Sequence, residues 1–201
     1  STAVRQRVRL TDRDGVRGAV RFARASLAAG IAPVFGADLA LAPPPVPGSP
    51  RGAPDRLRRT PTRGGRTRDP RLPRVTVLAR GPHGWAALCR LVSAAHARAE
   101  ASGRRGYPTV DVDLVGEHAA DGSLVVLLGP DSDVGRMLAR RRPDLATQAW
   151  QQWRSRAPAL CCEVVNHRGS DPASRSAPFA GRMLGWAHEQ HGKDDRQCSG
   201  L

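Results

Sequence analysis

Short apolar runs alternate with stretches of helical periodicity along most of this chain. The runs of strand length lie at residues 34–41, 74–79, 123–128 and 159–165, after a shorter one at Val8 and Leu10. Between them, apolar residues recur at the three- and four-residue spacings of a helical face. Strands that alternate with helices in this way predict an α/β fold with a mostly parallel sheet.

The helical stretches carry their apolar residues on one side. The first covers residues 16–29 and ends at Gly30, since glycine is a common helix stop. We expect its apolar side to be buried; that side consists of Val16, Ala19, Val20, Ala23 and Leu27. Either Ser132 or Asp133 is positioned as the N-cap of a later helix. Tryptophans also fall on inner sides, which favours core packing over base stacking; these are Trp85, Trp150, Trp153 and Trp186.

Residues 42–73 break the strand and helix pattern. Repeated prolines exclude regular structure there and favour extended polyproline segments. Between Arg51 and Arg74 the chain carries nine arginines and two aspartates. We therefore expect this insert to be disordered or mobile and strongly basic.

The net charge of +14 raises the possibility of nucleic-acid binding, because cations that neutralise phosphates drive non-specific affinity. Only one of the 32 basic residues is a lysine, which indicates GC-rich coding as a source of the arginines. A solvated loop is the plainer interpretation of the insert. The candidate nucleic-acid-binding residues are Arg56, Arg58, Arg59, Arg63, Arg66 and Arg68.

The sequence carries no clear signal for membrane insertion, for secretion or for a fold built on disulfides or zinc. No run of 18 apolar residues indicates a membrane span, and no signal peptide is visible. The four cysteines lack the Cys-x-x-Cys spacing of a zinc site and the number typical of a secreted disulfide scaffold. We expect a cytoplasmic protein that does not enter a membrane.

A set of motifs in a fixed order resembles one known family. The matching segments are residues 10–15, 18–23, 33–41, 59–65, 77–81, 84–89, 124–130 and 133–136, followed by Glu163 and His167. They resemble the PHP domain (polymerase and histidinol phosphatase) of bacterial DNA polymerase III alpha subunits, of the second-copy or error-prone type. The resemblance implies an incomplete, distorted (β/α)7 PHP barrel over residues 1–191 that lacks its first and last strands. Residues 192–201 match nothing in the family and are expected to form an unstructured tail.

The family binds divalent metals such as Zn, Mn or Mg, and the resemblance maps its ligand positions onto this chain. They fall at Asp12, Arg13, Asp38, Arg74, Glu163 and His167. Arg13 and Arg74 stand where the family has histidine, and Asp38 stands where it has glutamate. Because a guanidinium has no lone pair for a metal, we expect a degenerate site with no catalytic residue and no cofactor. His167 is the residual candidate ligand.

Arginine at these positions suggests a replacement for the metal ions. A planar guanidinium can pair bidentately with a carboxylate, here with Asp12, Asp38 or Glu163. Without a cation, carboxylates arranged around a metal would be left buried and unpaired. The hypothesis is that Arg13 and Arg74 fill the space and supply the charge of the lost metals.

The resemblance implies a scaffold fragment of an alpha-subunit-like DNA-directed DNA polymerase. Such a domain docks against the polymerase core, and the parent protein performs nucleotidyl transfer in DNA replication or translesion repair. The fragment itself is expected to be inactive, and DNA is a possible partner through the parent protein. Two alternatives stay open: a metal-dependent phosphoesterase or 3′-5′ exonuclease, and an Arg-rich nucleic-acid-binding module.

Overall fold

A computed structural model describes residues 7–42, 60–61, 67–68, 72–101, 108–165 and 176–191. The strands in these ranges are β1 (Arg7–Arg13), β2 (Ala32–Leu41), β3 (Thr60–Pro61), β4 (Thr67–Arg68), β5 (Arg74–Ala79), β6 (Thr109–Val110), β7 (Leu124–Leu128) and β8 (Leu160–Cys162). The helices are α1 (Ala19–Ala28), α2 (Gly81–Ala101), α3 (Val112–Ala119), α4 (Asp133–Ala139), α5 (Pro143–Arg156) and α6 (Ser176–His191). This order confirms the α/β class that the sequence pattern predicts.

One mixed sheet organises the fold, in the order β1-β2-β5-β7-β8, with β6 paired to the end of β2. The pairs β1–β2, β2–β6 and β7–β8 are parallel, whereas β5 runs antiparallel to both β2 and β7. The expectation of a mostly parallel sheet therefore holds for every strand of this sheet except β5. An antiparallel neighbour needs no helical crossover, so β2 can lead into β5 through the proline-rich insert. Because β5 is reversed, Arg74 at its start lies at the same sheet edge as the carboxyl ends of β1, β2, β7 and β8.

The two faces of the sheet bury different clusters. Successive side chains along a strand point to opposite faces, so the strand register assigns each residue to one face. The larger cluster lies under the helices and joins Val75, Val77, Val126 and Leu128 to apolar residues of α2 through α6. The smaller cluster, on the other face, consists of Leu78, Val125, Leu127 and Ala159. The polar site described below shares the face of the smaller cluster.

Side-chain caps fix where two of the helices begin. Asp111 accepts a hydrogen bond from the Leu114 backbone N–H at 2.7 Å and caps α3. Ser132 accepts from the Gly135 N–H at 3.0 Å and is the N-cap of α4. The sequence left Ser132 and Asp133 as alternatives for this cap, and the structure selects Ser132.

Helix α1 departs from its predicted inner side at Val20 and Leu27, whereas Ala19 is buried as expected. Its buried residues are Ala19 and Ser26, whereas Val20 is 66% exposed and Leu27 is 70% exposed. The Phe22 ring packs edge-on against Phe35 of β2 with 5.9 Å between ring centroids. This contact turns the Phe22 side of the helix toward the sheet and leaves the Val20 and Leu27 side outward.

The predicted core role of the tryptophans is confirmed. Trp150, Trp153 and Trp186 are buried in the larger cluster, and Trp85 packs against it partly buried. Trp150 and Trp186 meet edge-on across α5 and α6, with centroids 5.7 Å apart. Among the described residues, no helix has both the length and the apolar character needed to cross a membrane.

Most of the predicted insert lies outside the described residues. From residues 43–71 the structure describes only β3 and β4, which pair antiparallel through Thr60 with Arg68 and Pro61 with Thr67. The predicted tail at residues 192–201 lies outside as well.

Candidate functional site

Charged side chains from three strands meet at one edge of the sheet. Arg13 at the end of β1 is the register partner of Asp38 in β2, and Ala40 of β2 is the register partner of Arg74. Residues 38 and 40 are two apart and so point to the same face. The strand register thus brings Arg13, Asp38 and Arg74 together, as the sequence predicts.

Arg74 is the centre of this group, and its side chain is only 7% exposed. Its Nε donates to Asp38 Oδ2 at 2.8 Å, and its Nη2 donates to Asp14 Oδ1 at 2.8 Å. Nη2 also donates to the carbonyl oxygen of Asp38 at 2.5 Å. The Arg74 backbone N–H donates to the Asp131 carbonyl oxygen at 2.9 Å, which ties the start of β5 to the loop after β7. One guanidinium therefore bridges a carboxylate of β2 and a carboxylate of the turn after β1.

Asp14 is a site residue that the sequence analysis missed. Its backbone lies in the left-handed region, with a φ of 52°, directly after β1. Its N–H donates to the Asp38 carbonyl oxygen at 2.9 Å, and its Oδ1 accepts from the Ala40 N–H at 3.2 Å. The available signal was a second aspartate in the polar turn at the end of a strand, but no sequence rule distinguishes it from Asp12.

A histidine supports the turn that holds Asp14. The Nε2 atom of His96, on α2, lies 2.9 Å from the Asp14 carbonyl oxygen. Because a carbonyl oxygen only accepts, Nε2 is the donor in this hydrogen bond. His96 therefore positions the backbone of the site through the Asp14 carbonyl oxygen.

Arg13 contacts Asp38 more loosely than Arg74 does. Its Nη1 lies 3.8 Å from Asp38 Oδ2, and its side chain is 33% exposed. This is a looser ion pair than the two contacts of Arg74, and it is partly screened by solvent.

Asp12 lies apart from the group in which the sequence analysis placed it. It is one residue from Arg13 and so points to the helix-covered face. Its Oδ2 accepts from the Gly18 N–H at 2.5 Å, at the start of α1. An added Cβ at Gly18 would lie 3.0 Å from Asp12 Oδ1, so the Asp12 side chain would have to shift slightly to admit it. A carboxylate at a helix N-terminus stabilises the helix, which is the structural role of Asp12 here.

Glu163 approaches the group from β8, the strand at the opposite end of the sheet order. Burial raises the pKa of its carboxyl group; the nearby Arg9 acts to lower it, and the negative charge of Asp38 acts to raise it. The Glu163 carboxylate also lies against Gly129, where an added Cβ would come within 2.7 Å of Oε2. Glu163 follows β8, whereas Arg9 and Asp38 belong to β1 and β2 at the other end of the strand order. The sheet must therefore curl toward a barrel to bring these charges together.

The family model described as the PHP domain matches residues 5–166 of the sequence. This chain belongs to the PHP family.

Its curated relatives are error-prone DNA polymerases. One from Mycolicibacterium paratuberculosis is 38% identical over 174 residues, which cover 85% of this chain and 14% of that protein. One from Mycobacterium tuberculosis is 35% identical over 175 residues, covering 86% of this chain and 14% of that protein. One from Nocardia farcinica is 35% identical over 191 residues, which cover 83% of this chain and 15% of that protein. The PHP chain thus spans about one seventh of the length of these relatives.

A solved structure from Bifidobacterium adolescentis, provisionally described as a metal-dependent phosphoesterase, also aligns with this chain. The alignment has a TM-score of 0.46 and 13% sequence identity, and it covers 92% of this chain and 73% of that one. At these values the similarity carries no information about the site.

Among the described residues, the group around Arg74 does not by itself supply the donor set of a metal cluster. Asp14 Oδ1 and Asp38 Oδ2 accept hydrogen bonds from Arg74. A guanidinium offers donors and no lone pair. Within the ranges that the structure describes, no three His, Cys, Asp or Glu side chains converge in a way that could hold a metal ion. His167, the residual candidate ligand, lies outside the described residues.

The predicted nucleic-acid-binding arginines fall almost entirely outside the described residues. Of these, only the backbone of Arg68, in β4, is described. The arginines outside the described residues are Arg56, Arg58, Arg59, Arg63 and Arg66. The Arg-rich module therefore stays a prediction from the sequence.

Proposed function

We propose that this PHP domain is a non-catalytic structural module of an error-prone-type DNA polymerase, in which arginine has replaced the metal ions of the family. The observation that carries the proposal is the bridge from the buried Arg74 to Asp14 and Asp38 at 2.8 Å each. A scaffold needs a stable centre and does not need an open coordination position for a metal. The bridge stabilises the centre, and it occupies the carboxylate oxygens with hydrogen bonds from Arg74.

Electrostatics support a structural role for Arg74. Two carboxylates in a partly buried position repel each other and lose hydration, and a cation between them offsets both effects. Arg74 also satisfies the Asp38 carbonyl oxygen, so that it joins the ends of β1 and β2 to the start of β5. A metal ion could bind these oxygens only after displacing a guanidinium that is almost fully buried.

The polymerase context rests on the relatives, which are 35–38% identical over most of this chain. In this proposal the PHP domain docks against a polymerase core, and nucleotidyl transfer in DNA replication or translesion repair belongs to that core. DNA would then be a ligand of the whole polymerase. The rival function is a 3′-5′ exonuclease or other metal-dependent phosphoesterase. It differs from the proposed function because it requires a working metal site.

Metal content and metal response test the proposal directly. Protein purified without chelators should contain far less than one equivalent of zinc or manganese by elemental analysis. Its melting temperature should be the same with a chelator and with added Zn²⁺ or Mn²⁺. A labelled single-stranded DNA should remain intact under the same conditions.

Stoichiometric metal, a chelator-induced fall in the melting temperature, or metal-dependent DNA cleavage would each refute the proposal in favour of the rival. The control for contaminating nucleases is Asp38→Asn. Cleavage that belongs to this site should fall in that variant, whereas cleavage by a contaminant should be unchanged.

A further inference from the structure

The turn between α4 and α5 displays three consecutive arginines, Arg140, Arg141 and Arg142, and all three are exposed. We infer that this arginine turn is a contact site for the phosphodiester backbone of duplex DNA. It is separate from the Arg74 group and from the basic insert. The inference therefore goes beyond the proposed function and beyond the arginines predicted from the sequence.

Backbone hydrogen bonds fix the shape of the arginine turn. The Arg140 N–H donates to the Arg136 carbonyl oxygen at 3.1 Å, and the next two N–H groups donate to the carbonyl oxygens of Leu138 and Met137 at 3.0 Å each. This is the Schellman pattern that ends many helices, in which the residue after the cap adopts a left-handed backbone. Here that residue is Arg141, with a φ of 59°.

Arginine is an unfavourable residue at this left-handed position. A Cβ atom crowds the backbone there, and glycine is the residue that most often ends a helix in this way. GC-rich coding explains arginine in place of lysine, but glycine codons are also rich in GC. Arg136 and Arg140 already place positive charge at the end of α4, where a cation is favourable. Neither base composition nor helix stability therefore accounts for Arg141.

Two of the three guanidinium groups in the arginine turn are available to a ligand. Arg142 is engaged by Asp144, whose two oxygens accept from its Nε at 2.9 Å and its Nη2 at 2.6 Å. In the part of the chain that the structure describes, the side chains of Arg140 and Arg141 have no ion pair or hydrogen bond. The charge of Arg142 is offset by Asp144, so two unpaired positive charges remain at the surface.

The surroundings of the arginine turn favour a phosphate backbone over an acidic protein. A protein interface needs an apolar centre, but the exposed residues on either side of the arginines are an alanine and a proline. Phosphate contacts need only cations at the surface, and arginine binds phosphate oxygens bidentately. The sequence has no aromatic residue from position 131 to 149 on which a single-stranded base could stack. Duplex DNA, bound through its backbone, is therefore the ligand that fits.

Binding of a fluorescent DNA duplex to the full chain, followed by anisotropy at several salt concentrations, tests the inference. Arg141→Gly should lower the slope of log affinity against log salt by about 0.9, the value for one phosphate contact. It should also weaken binding at low salt by roughly five- to tenfold. Because glycine relieves the left-handed strain, the same variant should raise the melting temperature by about 2–4 °C. Arg141→Lys keeps the charge and the strain, so it should retain most of the slope without a gain in melting temperature.

A matched pair of double variants separates this site from the general effect of net charge. Arg140→Gln combined with Arg141→Gly removes both unpaired cations and should lower the salt slope by about 1.8. Arg24→Gln combined with Arg90→Gln removes two exposed arginines from α1 and α2. This control loses the same charge and should keep the slope of the wild type.

Several outcomes would overturn the inference. One is an equal loss of slope in the two double variants, since binding would then follow net charge alone. Another is a raised melting temperature of Arg141→Gly with unchanged DNA affinity, which would mean that the strained arginine has no ligand. A lowered melting temperature of Arg141→Gly would show that the arginine itself stabilises the turn. If a polyglutamate peptide binds with the same dependence on Arg141 and the duplex does not bind, the occupant is an acidic protein.

Discussion

At the residue scale, Arg74 and Arg13 occupy neighbouring positions but carry unequal structural roles. Arg74 is buried and makes two close carboxylate contacts, whereas Arg13 is a third exposed and lies 3.8 Å from one oxygen of Asp38. Removing one partner from a buried ion pair leaves an uncompensated charge, which is far more destabilising than losing a surface pair. The hypothesis that both arginines replace metals therefore applies chiefly to Arg74.

We expect Arg74→Ala to lower the free energy of unfolding by about 3–5 kcal/mol, because Asp14 and Asp38 would be left without their shared cation. Arg13→Ala should lower it by about 1 kcal/mol or less. Urea denaturation followed by circular dichroism measures both values. Equal effects of the two variants would show that Arg74 is not the centre of the site.

The alternation of side chains along a strand explains which site residues could be predicted from the sequence. Arg13, Asp38 and Arg74 were predicted as a group and lie together. Asp12 was predicted with them, but its side chain points to the other face and binds the start of α1. Asp14 was missed, since its approach to Arg74 depends on a left-handed backbone turn after β1. No local pattern reports that turn.

At the element scale, the position of α4 depends on the close approach of Gly135 to the turn after β7. An added Cβ at Gly135 would overlap the carbonyl oxygen of Gly129 and come within 2.6 Å of that of Pro130. Both carbonyls belong to the turn after β7, which Ser132 also binds through its hydroxyl at 2.7 Å from Gly129 O. Helix α4 is thus packed against the turn from which it starts.

Gly135→Ala should destabilise the protein by about 1–3 kcal/mol, because the helix must shift away from the turn to admit the methyl group. Gly181→Ala is the matched control, since Gly181 also lies in a helix, α6, but has open space at the Cβ position. Ala is the better helix former, so this control should gain about 0.5–1 kcal/mol. Thermal unfolding measures the stability of both variants. A Gly135→Ala variant as stable as the wild type would contradict tight packing at Gly135.

At the scale of the whole molecule, curvature of the sheet determines the environment of Glu163. Burial raises its pKa above the ordinary value of 4.5, with Asp38 acting in the same direction and Arg9 against it. A carboxyl group that holds its proton more tightly in the folded chain favours folding most at low pH. This contribution is lost as the pH rises from 4.5 through the folded-state pKa.

We therefore expect Glu163→Gln to be more stable than the wild type at pH 7, and the difference to disappear below pH 4.5. Urea denaturation across this pH range measures the effect. The control of opposite sign is Asp144→Asn, because the hydrogen bond from Arg142 lowers the pKa of Asp144 to about 2. A Glu163→Gln variant that is less stable at pH 7 would mean that the Glu163 carboxylate is stabilised as an anion.

The sequence by itself predicted the order of the longer strands and helices, the buried tryptophans and the family, but not the two-residue strands β3, β4 and β6. These follow from short-range periodicity and from motifs, which are properties of the chain alone. Tertiary structure decided the antiparallel direction of β5, the outward turn of Val20 and Leu27, and the pairing of Arg74 with Asp14. The physical reason is that the periodicity of a strand or a helix shows only that one of its faces is apolar. The element that packs against that face is set by contacts between elements distant in sequence.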